Sequence, residues 1–313
     1  MSLASKFRHL STMSRDARWW PFLFQRLFMD KGLRERLATL VAKKLRPAPT
    51  VQQFKATDVS ILAMRVQELR FAGISHFGQI LTTAQARTVQ EYFLTKRVHD
   101  PYRSQSKNYL PDSDERHPDS HIAHHEAGDI LMAPHLLSIA NRSDILEIVA
   151  SHLGCKPTLS YLAAWWSYPT SLGAQQAENF HRDVDDWRFV KLFIYLSDVG
   201  KNNGPHIFVK NSPDSPALRQ IGRFTDDEVA SAFGPENVLE LTAQAGEGFL
   251  ENTFGVHKGQ PVSEGRRLIF QAVYSMFPLP YGPKNAAMNF SDAFRIHSGL
   301  SDPWINRMYL KNR

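Results

Sequence analysis

The sequence predicts a mostly β protein with flanking helices, in which helical segments come first and an antiparallel jelly roll follows. Two patterns favour this fold class. Apolar residues recur at helical intervals in much of the first half of the chain. After Lys156, short runs rich in β-branched and aromatic residues alternate with Gly, Pro and Asn turns. The 313 residues, of which 42% are hydrophobic, are enough to bury a sizeable core.

The N-terminal segment differs from the rest of the chain in charge. Residues 1–50 contain 11 Lys and Arg but 3 Asp and Glu, a net charge of +8, so the remainder carries −2 of the overall +6. Aromatic and basic residues at helical spacing, with Pro21 at a helix start, predict an amphipathic helical arm over 1–46. Residues 46–50 read as a linker.

Three interpretations of this arm stay open. It could contact a membrane surface or a partner protein, act as an organellar targeting segment, or pack on its own domain. Nucleic-acid binding is not expected, because the body has no basic excess of its own. A single cysteine, Cys155, excludes an internal disulfide and fits a reducing compartment. Without a secretory signal or an apolar stretch of ~18 residues, the sequence predicts a cytoplasmic protein.

The body is predicted as one domain over 57–300. Its first part contains a candidate strand, ISHFGQIL, and a polar segment at 98–128 that predicts a long loop bordering a binding site. Three segments predict helices with suitable caps: DVSILAMRVQELRFAG, LTTAQARTVQEYFLTKR and LLSIANRSDILEIVASHLG. Six runs predict the strands of a β core at about 156–280: PTLSYLAAWWSYP, RFVKLFIYLSDV, PHIFVKNS, VLELTAQ, GFLENTFGV and RRLIFQAVYSMF.

A histidine and an aspartate two residues apart suggest a metal site. In an extended chain, His181 and Asp183 point to the same side, with Arg182 turned away. His257, at the end of another predicted strand, could supply a third ligand. Two neutral imidazoles and one carboxylate suit Fe(II) and leave three positions open for a bidentate cosubstrate and O2. The alternative is a polar strand entry in which the aspartate caps a turn.

Arg267 opens a predicted apolar strand ten residues after His257. A guanidinium in such a strand is costly unless it is paired, and a carboxylate would satisfy it in bidentate fashion. The alternatives are a surface position on an edge strand or a pair with an internal acid such as Glu247. Arg266 points to the opposite face and is expected to be the exposed member of the two.

Several further residues near the predicted site are candidates for a supporting role. Of Trp165 and Trp166, one should face the site and the other the core; the alternative is a plain core role for either. His206 is expected to be a strand residue and not a fourth ligand, whereas Asp185 and Asp186 suit a solvated or supporting loop. Gln175 and Asn179 are candidates for a polar contact with a cosubstrate or substrate. The loop histidines could border the substrate or be exposed: His121, His124 and His125.

Four segments together resemble the phytanoyl-CoA dioxygenase family of Fe(II)/2-oxoglutarate-dependent oxygenases: FHRDVDD, NNGPHIFVKNSP, TFGVHKG and RRLIFQAVY. The similarity extends to GISHFGQILTTAQARTVQEYF and HLLSIANRSDILEIVASHLGCKP, and covers roughly residues 65–280. The resemblance implies a double-stranded β-helix core with helices packed on one side. It also implies that His181, Asp183 and His257 bind iron and that Arg267 pairs with the distal carboxylate of 2-oxoglutarate.

The sequence departs from the family pattern at Gly259, where many members have a serine that assists this carboxylate. Lys191 and Tyr195 are candidates to replace it. They share a face of one predicted strand with Phe193, whose position matches an aromatic residue in the family. The alternative for Lys191 is that its ammonium group reaches solvent.

The resemblance implies hydroxylation of a small organic substrate, with release of succinate and CO2. Family members that halogenate lack the carboxylate, so the presence of Asp183 favours hydroxylation or a related oxidation. Two other functions remain open: a cupin-like metal enzyme that does not use 2-oxoglutarate, and a catalytically inactive binding member of the fold. The sequence indicates neither the substrate nor the oligomeric state.

Overall fold

The structure, a computed structural model, describes residues 16–47, 59–103, 107–300 and 302–311. The first 15 residues of the predicted arm, most of the predicted linker and the start of the predicted body at 57–58 lie outside the described residues. The described helices are α1 (Trp19–Phe24), α2 (Lys31–Ala42), α3 (Val59–Phe71), α4 (Thr83–Leu94), α5 (Ala127–Met132), α6 (Leu136–Ala140), α7 (Ser143–Leu153), α8 (Asp226–Phe233) and α9 (Phe290–Ile296).

Most of the described strands belong to two antiparallel sheets. The major sheet has the order β1-β10-β6-β12-β4-β3-β2 and the minor sheet the order β8-β5-β11-β7-β9, while β13 and β14 form a short parallel pair. The strands are β1 (Ile74–Gln79), β2 (Val98–His99), β3 (Ile122–His125), β4 (Thr158–Ser167), β5 (Phe180–His181), β6 (Phe189–Tyr195), β7 (His206–Val209), β8 (Arg223–Phe224), β9 (Val238–Leu241), β10 (Glu247–Glu251), β11 (His257–Gly259), β12 (Arg267–Ser275), β13 (Met288–Asn289) and β14 (Leu310–Lys311).

The chain passes repeatedly from one sheet to the other between β4 and β12. Strands β4, β6, β10 and β12 lie side by side in the major sheet, and β5, β7, β9 and β11 lie side by side in the minor sheet. This arrangement is the double-sheet jelly roll, or double-stranded β-helix. The predicted fold class is therefore confirmed, and each of the six predicted core runs contains a strand.

The central strands of the major sheet are buried on both faces. On β6, Leu192 and Ile194 point toward the helices, while Phe193 and Tyr195 point toward the minor sheet and pack in a separate cluster. Because the two faces meet two different apolar layers, the strand reads as a continuous apolar run without alternation. The inner face of β6 also contains Lys191, as predicted from the two-residue period.

Two predicted elements differ from the structure. The segment LLSIANRSDILEIVASHLG was predicted as one helix but forms α6 and α7, separated at Asn141. The Asn141 side chain donates to the carbonyl of Leu137 and to Asn306 Oδ1, so it holds the helix end. The predicted loop at 98–128 contains β2 and β3, which extend the edge of the major sheet next to β4.

The described part of the arm packs on the jelly roll. It forms two short helices with a break between them, instead of one amphipathic helix. Gln25 and Arg34 are buried, and Arg188 of the body contacts Glu35 at 2.7 Å. Packing on its own domain is thus borne out for residues 16–47, whereas a membrane or protein contact through 1–46 stays a prediction. None of the helices in the described residues is long and apolar enough to cross a membrane.

Candidate metal centre

Two histidines from neighbouring strands of the minor sheet face each other at one end of the jelly roll. His181 on β5 pairs directly with His257 on β11, and their ring centroids lie 4.3 Å apart. Asp183 follows β5 in an extended segment, and its amide donates to the carbonyl of Thr253 at 2.9 Å. The pairing of β5 with β11 therefore brings together the three residues that the sequence predicts as metal ligands.

The three potential ligand atoms are close enough to bind one ion. Asp183 Oδ1 lies 3.6 Å from Nε2 of His181, and Asp183 Oδ2 lies 3.3 Å from Nε2 of His257. All three ligand atoms lie within 4.8 Å of one another. Two imidazole nitrogens and one carboxylate oxygen, with the remaining directions facing a cavity, match the facial set that suits non-haem Fe(II).

Backbone carbonyls orient both imidazole rings. Nδ1 of His181 lies 2.9 Å from the carbonyl of Asn179, and Nδ1 of His257 lies 3.0 Å from the carbonyl of Gly255. If each Nδ1 carries the proton that it donates to its carbonyl, each Nε2 has a free lone pair toward the site. Ligating histidines are commonly fixed in this way, so the donor set fits a bound metal.

A buried lysine stabilises the charge of the aspartate. Lys191 Nζ lies 2.7 Å from Asp183 Oδ2 and 3.2 Å from Asp185 Oδ2. Burial alone would raise the pKa of Asp183, but Lys191 and the two imidazoles outweigh it and hold that pKa well below its usual range. Burial and the neighbouring His257 lower the pKa of His181 to about 3. Asp183 is therefore ionised and His181 neutral at neutral pH, the states in which both bind metals.

A cavity of about 240 Å³ opens beside these groups, between the two sheets. Trp165 lines it and stacks on His124 with a centroid distance of 5.6 Å, whereas Trp166 is fully buried in the core. The predicted division between the two tryptophans is confirmed. Polar and aromatic residues that line the cavity include His121, His124, Ser167, Gln175 and Phe193.

Arg267 lines the same cavity and is 6% exposed. It donates to the carbonyl of Gly204 and, at 3.0 Å, to Ser167 Oγ, while its Nε has no hydrogen-bond partner. Over the four described ranges, no carboxylate forms an ion pair with it. The two alternatives raised from the sequence are therefore wrong: the residue is not at the surface, and Glu247 instead accepts from the Gln244 amide. Arg266 is half-buried and pairs with Asp112.

The other predicted cosubstrate contacts have different surroundings. Phe193 lines the cavity, and Lys191 lines it beside Asp183; their contact with a cosubstrate stays a prediction. The hydroxyl of Tyr195 donates to the carbonyl of Leu241 at 2.9 Å and accepts from the amide of His206 at 2.9 Å. Because this hydroxyl joins the two sheets and is not part of the cavity lining, Tyr195 is not among the contacts that we propose.

His206 lies next to the triad but does not complete it. Its ring stacks on that of His257 with centroids 5.5 Å apart, and its Nε2 lies 2.8 Å from Oε2 of the fully buried Glu251. His206 is a residue of strand β7, as predicted, and the group of potential ligands within the described residues does not include it. Burial lowers the pKa of His206, although Glu251 opposes this shift.

The loop residues singled out in the sequence divide into two groups. His121, His124 and Gln175 line the cavity, whereas His125 is buried behind it and accepts from the indole of Trp166 at 3.1 Å. The Asn179 side chain donates to the backbone at Ala174. Asp185 and Asp186 are both buried, so the solvated loop, one of the two expectations for them, is wrong. The other expectation, a supporting role, agrees with their contacts: Asp185 lies 3.2 Å from Lys191, and Asp186 accepts from the amides of Trp187 and Phe277.

Sequence reasoning missed the arginines that hold the metal-binding segment. Arg182 is buried and donates to four backbone carbonyls, those of Ser212, Ala217, Leu218 and Phe254. From the arm, Arg34 donates to the carbonyl of Asp186. These five carbonyls are distant in sequence from the two arginines, so no local pattern identifies them. The sequence offers only one hint, which is an arginine among residues expected to be buried.

No protein-family model matches the chain, and no curated protein matches it. Among solved structures, the chain is similar to AviO1 from Streptomyces viridochromogenes Tue57, with 19% identity over 72% of this chain and 99% of that chain and a TM-score of 0.43. It is also similar to HygX from Streptomyces hygroscopicus with nickel and 2-oxoglutarate bound, with 12% identity over 74% and 91% of the chains and a TM-score of 0.49.

A third similar structure is the epimerase SnoN in complex with Fe3+, alpha ketoglutarate and nogalamycin RO. It is 17% identical over 69% of this chain and 84% of that chain, with a TM-score of 0.47. At these identities and scores, the similarities carry no argument about the activity of this chain.

Proposed function

We propose that this protein is an Fe(II)- and 2-oxoglutarate-dependent dioxygenase that hydroxylates a small organic substrate and releases succinate and CO2. One observation carries the proposal. The His181, Asp183 and His257 donor set and the buried guanidinium of Arg267, which has no carboxylate partner in the described residues, face one cavity. A membership in the phytanoyl-CoA dioxygenase family remains a prediction that agrees with this arrangement.

The spacing of the two groups suits a dicarboxylate. Gly259 lies two residues beyond His257 on β11, and a Cβ placed there would lie 3.7 Å from Nη2 of Arg267. One two-residue step along a strand spans roughly 7 Å. The guanidinium thus lies beside the position one such step beyond His257, and a 2-oxo acid held by the metal ligands could place a distal carboxylate on it.

Each group of the chain has a defined task in this proposal. The two imidazoles and Asp183 hold Fe(II), which supplies the activation of O2 and the oxidation of a C–H bond when it is bound. Lys191 keeps Asp183 ionised and oriented. Arg267 anchors the cosubstrate by its distal carboxylate, and the surrounding aromatic residues exclude water and position the substrate. The carboxylate ligand supports hydroxylation or a related oxidation over halogenation, by the family resemblance.

Binding and turnover measured together test the proposal. Under anaerobic conditions, Fe(II) and 2-oxoglutarate should each raise the melting temperature and together raise it further, since both bind the native state. A screen of candidate metabolites should then find one that couples O2 consumption to succinate. Asp183→Ala should abolish the metal-dependent shift and the succinate, whereas Asp227→Ala, an exposed acid on α8, should retain both.

Each negative result has its own meaning. Stabilisation by metal without any effect of 2-oxoglutarate would favour a cupin-like metal enzyme. No response to either ligand would favour a binding protein. Succinate production that survives Asp183→Ala would contradict the proposed metal centre.

A further inference from the structure

The cosubstrate end of the cavity lacks a hydroxyl where the sequence resemblance leads one to expect it. Gly259 on β11 pairs with His206 on β7 and presents no side chain toward Arg267. The nearest heavy atom to a methyl group placed at this position would be Nη2 of Arg267, at 3.7 Å. A carboxylate bound to this guanidinium therefore has no hydroxyl donor on the β11 side.

A serine occupies the opposite side of the same guanidinium. Ser167, the last residue of β4, is paired with Arg267 of β12 across the sheet. Its Oγ lies 3.0 Å from Nη2 of Arg267. The residue is 4% exposed and lines the cavity. Its hydroxyl is thus fixed beside the group that would bind the carboxylate.

The proton of this hydroxyl is free to be donated. Ser167 Oγ accepts from Arg267, and within the described ranges no hydrogen bond is donated by it. Several nearby polar side chains have other contacts: the Tyr195 hydroxyl donates to Leu241, His206 Nε2 lies 2.8 Å from Glu251, and Lys191 pairs with Asp183. The Gln175 amide, which also lines the cavity, provides a second buried donor without a partner in the described residues. An unused donor in a buried, low-dielectric site favours an anionic ligand.

We propose that Ser167 donates the hydroxyl hydrogen bond to the distal carboxylate of 2-oxoglutarate, in place of the serine absent at Gly259. This inference rests on the proposed function. Ser167 and Arg267 then form the carboxylate subsite from two adjacent strands of the major sheet, β4 and β12. The role expected from the sequence for Lys191 or Tyr195 passes to a residue on a different strand.

Two ligands that differ only at the end remote from the 2-oxo acid can distinguish a hydrogen bond from Ser167 to the distal carboxylate from a general effect of the substitution on the site. 2-Oxovalerate has the same 2-oxo acid end and the same chain length as 2-oxoglutarate but ends in a methyl group. We would titrate both by calorimetry into the full-length protein loaded with Ni(II). Ser167→Ala should weaken the affinity for 2-oxoglutarate about 10-fold, which is the effect of losing one hydrogen bond to a charged group. The affinity for 2-oxovalerate should not change.

Two variants that restore a hydroxyl control for loss of structure. Ser167→Thr keeps the hydroxyl in place. Gly259→Ser, added to Ser167→Ala, puts one on the β11 side, where the backbone and the 3.7 Å clearance accommodate a side chain. We expect at least one of the two to recover affinity for 2-oxoglutarate.

The outcomes are distinguishable. A loss confined to 2-oxoglutarate and reversed by either hydroxyl supports the inference. Unchanged affinity in Ser167→Ala, an equal loss for both ligands, or a loss that neither hydroxyl reverses overturns it. If the unmodified protein itself does not prefer 2-oxoglutarate to 2-oxovalerate, the proposed function fails, and the inference with it.

Discussion

The ammonium group of Lys191 lies 2.7 Å from Oδ2 of Asp183, so a fixed positive charge touches the acidic member of the metal-binding triad. Both residues are on the inner side of the jelly roll, and Asp185 shares the same ammonium at 3.2 Å. Without a metal, Lys191 is a cation in direct contact with both carboxylates. A bound divalent ion would therefore enter a site whose charge is already partly balanced.

Replacing Lys191 tests this balance. Lys191→Met leaves the buried carboxylate of Asp185 and the one-fifth-exposed carboxylate of Asp183 without this cation, and should destabilise the metal-free protein by about 3 kcal/mol. A divalent ion would then supply the missing charge, so Ni(II) should raise the melting temperature more in the variant than in the unmodified protein. Differential scanning calorimetry with and without Ni(II) measures both effects.

A partly exposed lysine in a single ion pair provides the control for this experiment. Lys156 pairs with Asp302, and both side chains are about one-fifth exposed. Lys156→Met should reduce the free energy of unfolding by less, because it leaves one partly exposed carboxylate unpaired and, unlike Lys191→Met, no buried one. It should not change the response to Ni(II). A Lys191→Met protein that no longer responds to Ni(II) would show that the lysine orients Asp183 for binding.

Gly255 is expected to control the orientation of His257. Its carbonyl accepts from Nδ1 of His257, and a Cβ at Gly255 would lie 2.7 Å from the Phe208 ring and 2.8 Å from Ser212 Oγ. Gly255→Ala must displace the backbone and with it the ring. We expect a loss of about 1–3 kcal/mol in stability and a 10–100-fold weaker affinity for Ni(II) in a competition titration.

Gly173→Ala is the matched control, because a Cβ at Gly173 meets no atom within 4 Å. Both its stability and its Ni(II) affinity should stay close to those of the unmodified protein. Wild-type affinity in Gly255→Ala would mean that the carbonyl contact does not govern the imidazole.

The parts of the fold that the sequence predicts well are those set by local periodicity. In an extended chain, side chains two residues apart point to the same face. Lys191 and Phe193 are therefore predicted to share one face of their strand, and His181 and Asp183 to point to the same side. His257 could be added because turn residues flank a short strand. These signals are contained in segments of a few residues.

The rest depends on strand pairing and on contacts between distant segments. Ser167 lies beside Arg267 only because β4 pairs with β12 in a register that no local pattern specifies. Arg34 contacts a carbonyl 152 residues away. At the break between α6 and α7, Asn141 bonds to Asn306, which is also remote. A charged residue in an apolar segment, such as Arg267, can be recognised in the sequence, but the sequence does not identify the group that it contacts.

The arm is expected to stabilise the segment that follows Asp183. Arg34 is 3% exposed and donates to the carbonyls of Gln25, Phe28 and Asp186. Arg34→Ala removes these bonds and leaves buried carbonyls without a donor, so the free energy of unfolding should fall by about 2–3 kcal/mol. Urea denaturation measures the change.

Arg36 lies on the same helix but is exposed. Arg36→Ala should alter the free energy of unfolding by no more than about 0.5 kcal/mol. Equal effects of the two substitutions would contradict a specific role of Arg34, and would point to a contribution of helix α2 that does not depend on its contact with the Asp186 carbonyl.

His125 should make the stability of the protein depend on pH. Its Nε2 accepts from the Trp166 indole at 3.1 Å, its ring packs on Phe93, and burial lowers its pKa to about 3. In the unfolded chain the ordinary value is about 6.5. Below that pH the unfolded chain binds a proton that the folded protein does not, so stability is lost as the pH falls from 6.5 toward 3.

Substituting the imidazole should remove this share of the acid sensitivity. His125→Gln keeps an acceptor for the indole but does not titrate. Between pH 7.5 and pH 5, its free energy of unfolding should therefore fall by about 2 kcal/mol less than that of the unmodified protein. Urea denaturation at the two pH values measures the difference. His117, about half exposed, provides the control: His117→Gln should keep the full loss. If His125→Gln loses as much stability as the unmodified protein between the two pH values, the buried imidazole contributes nothing to the loss. Protonation of other groups would then account for the acid sensitivity.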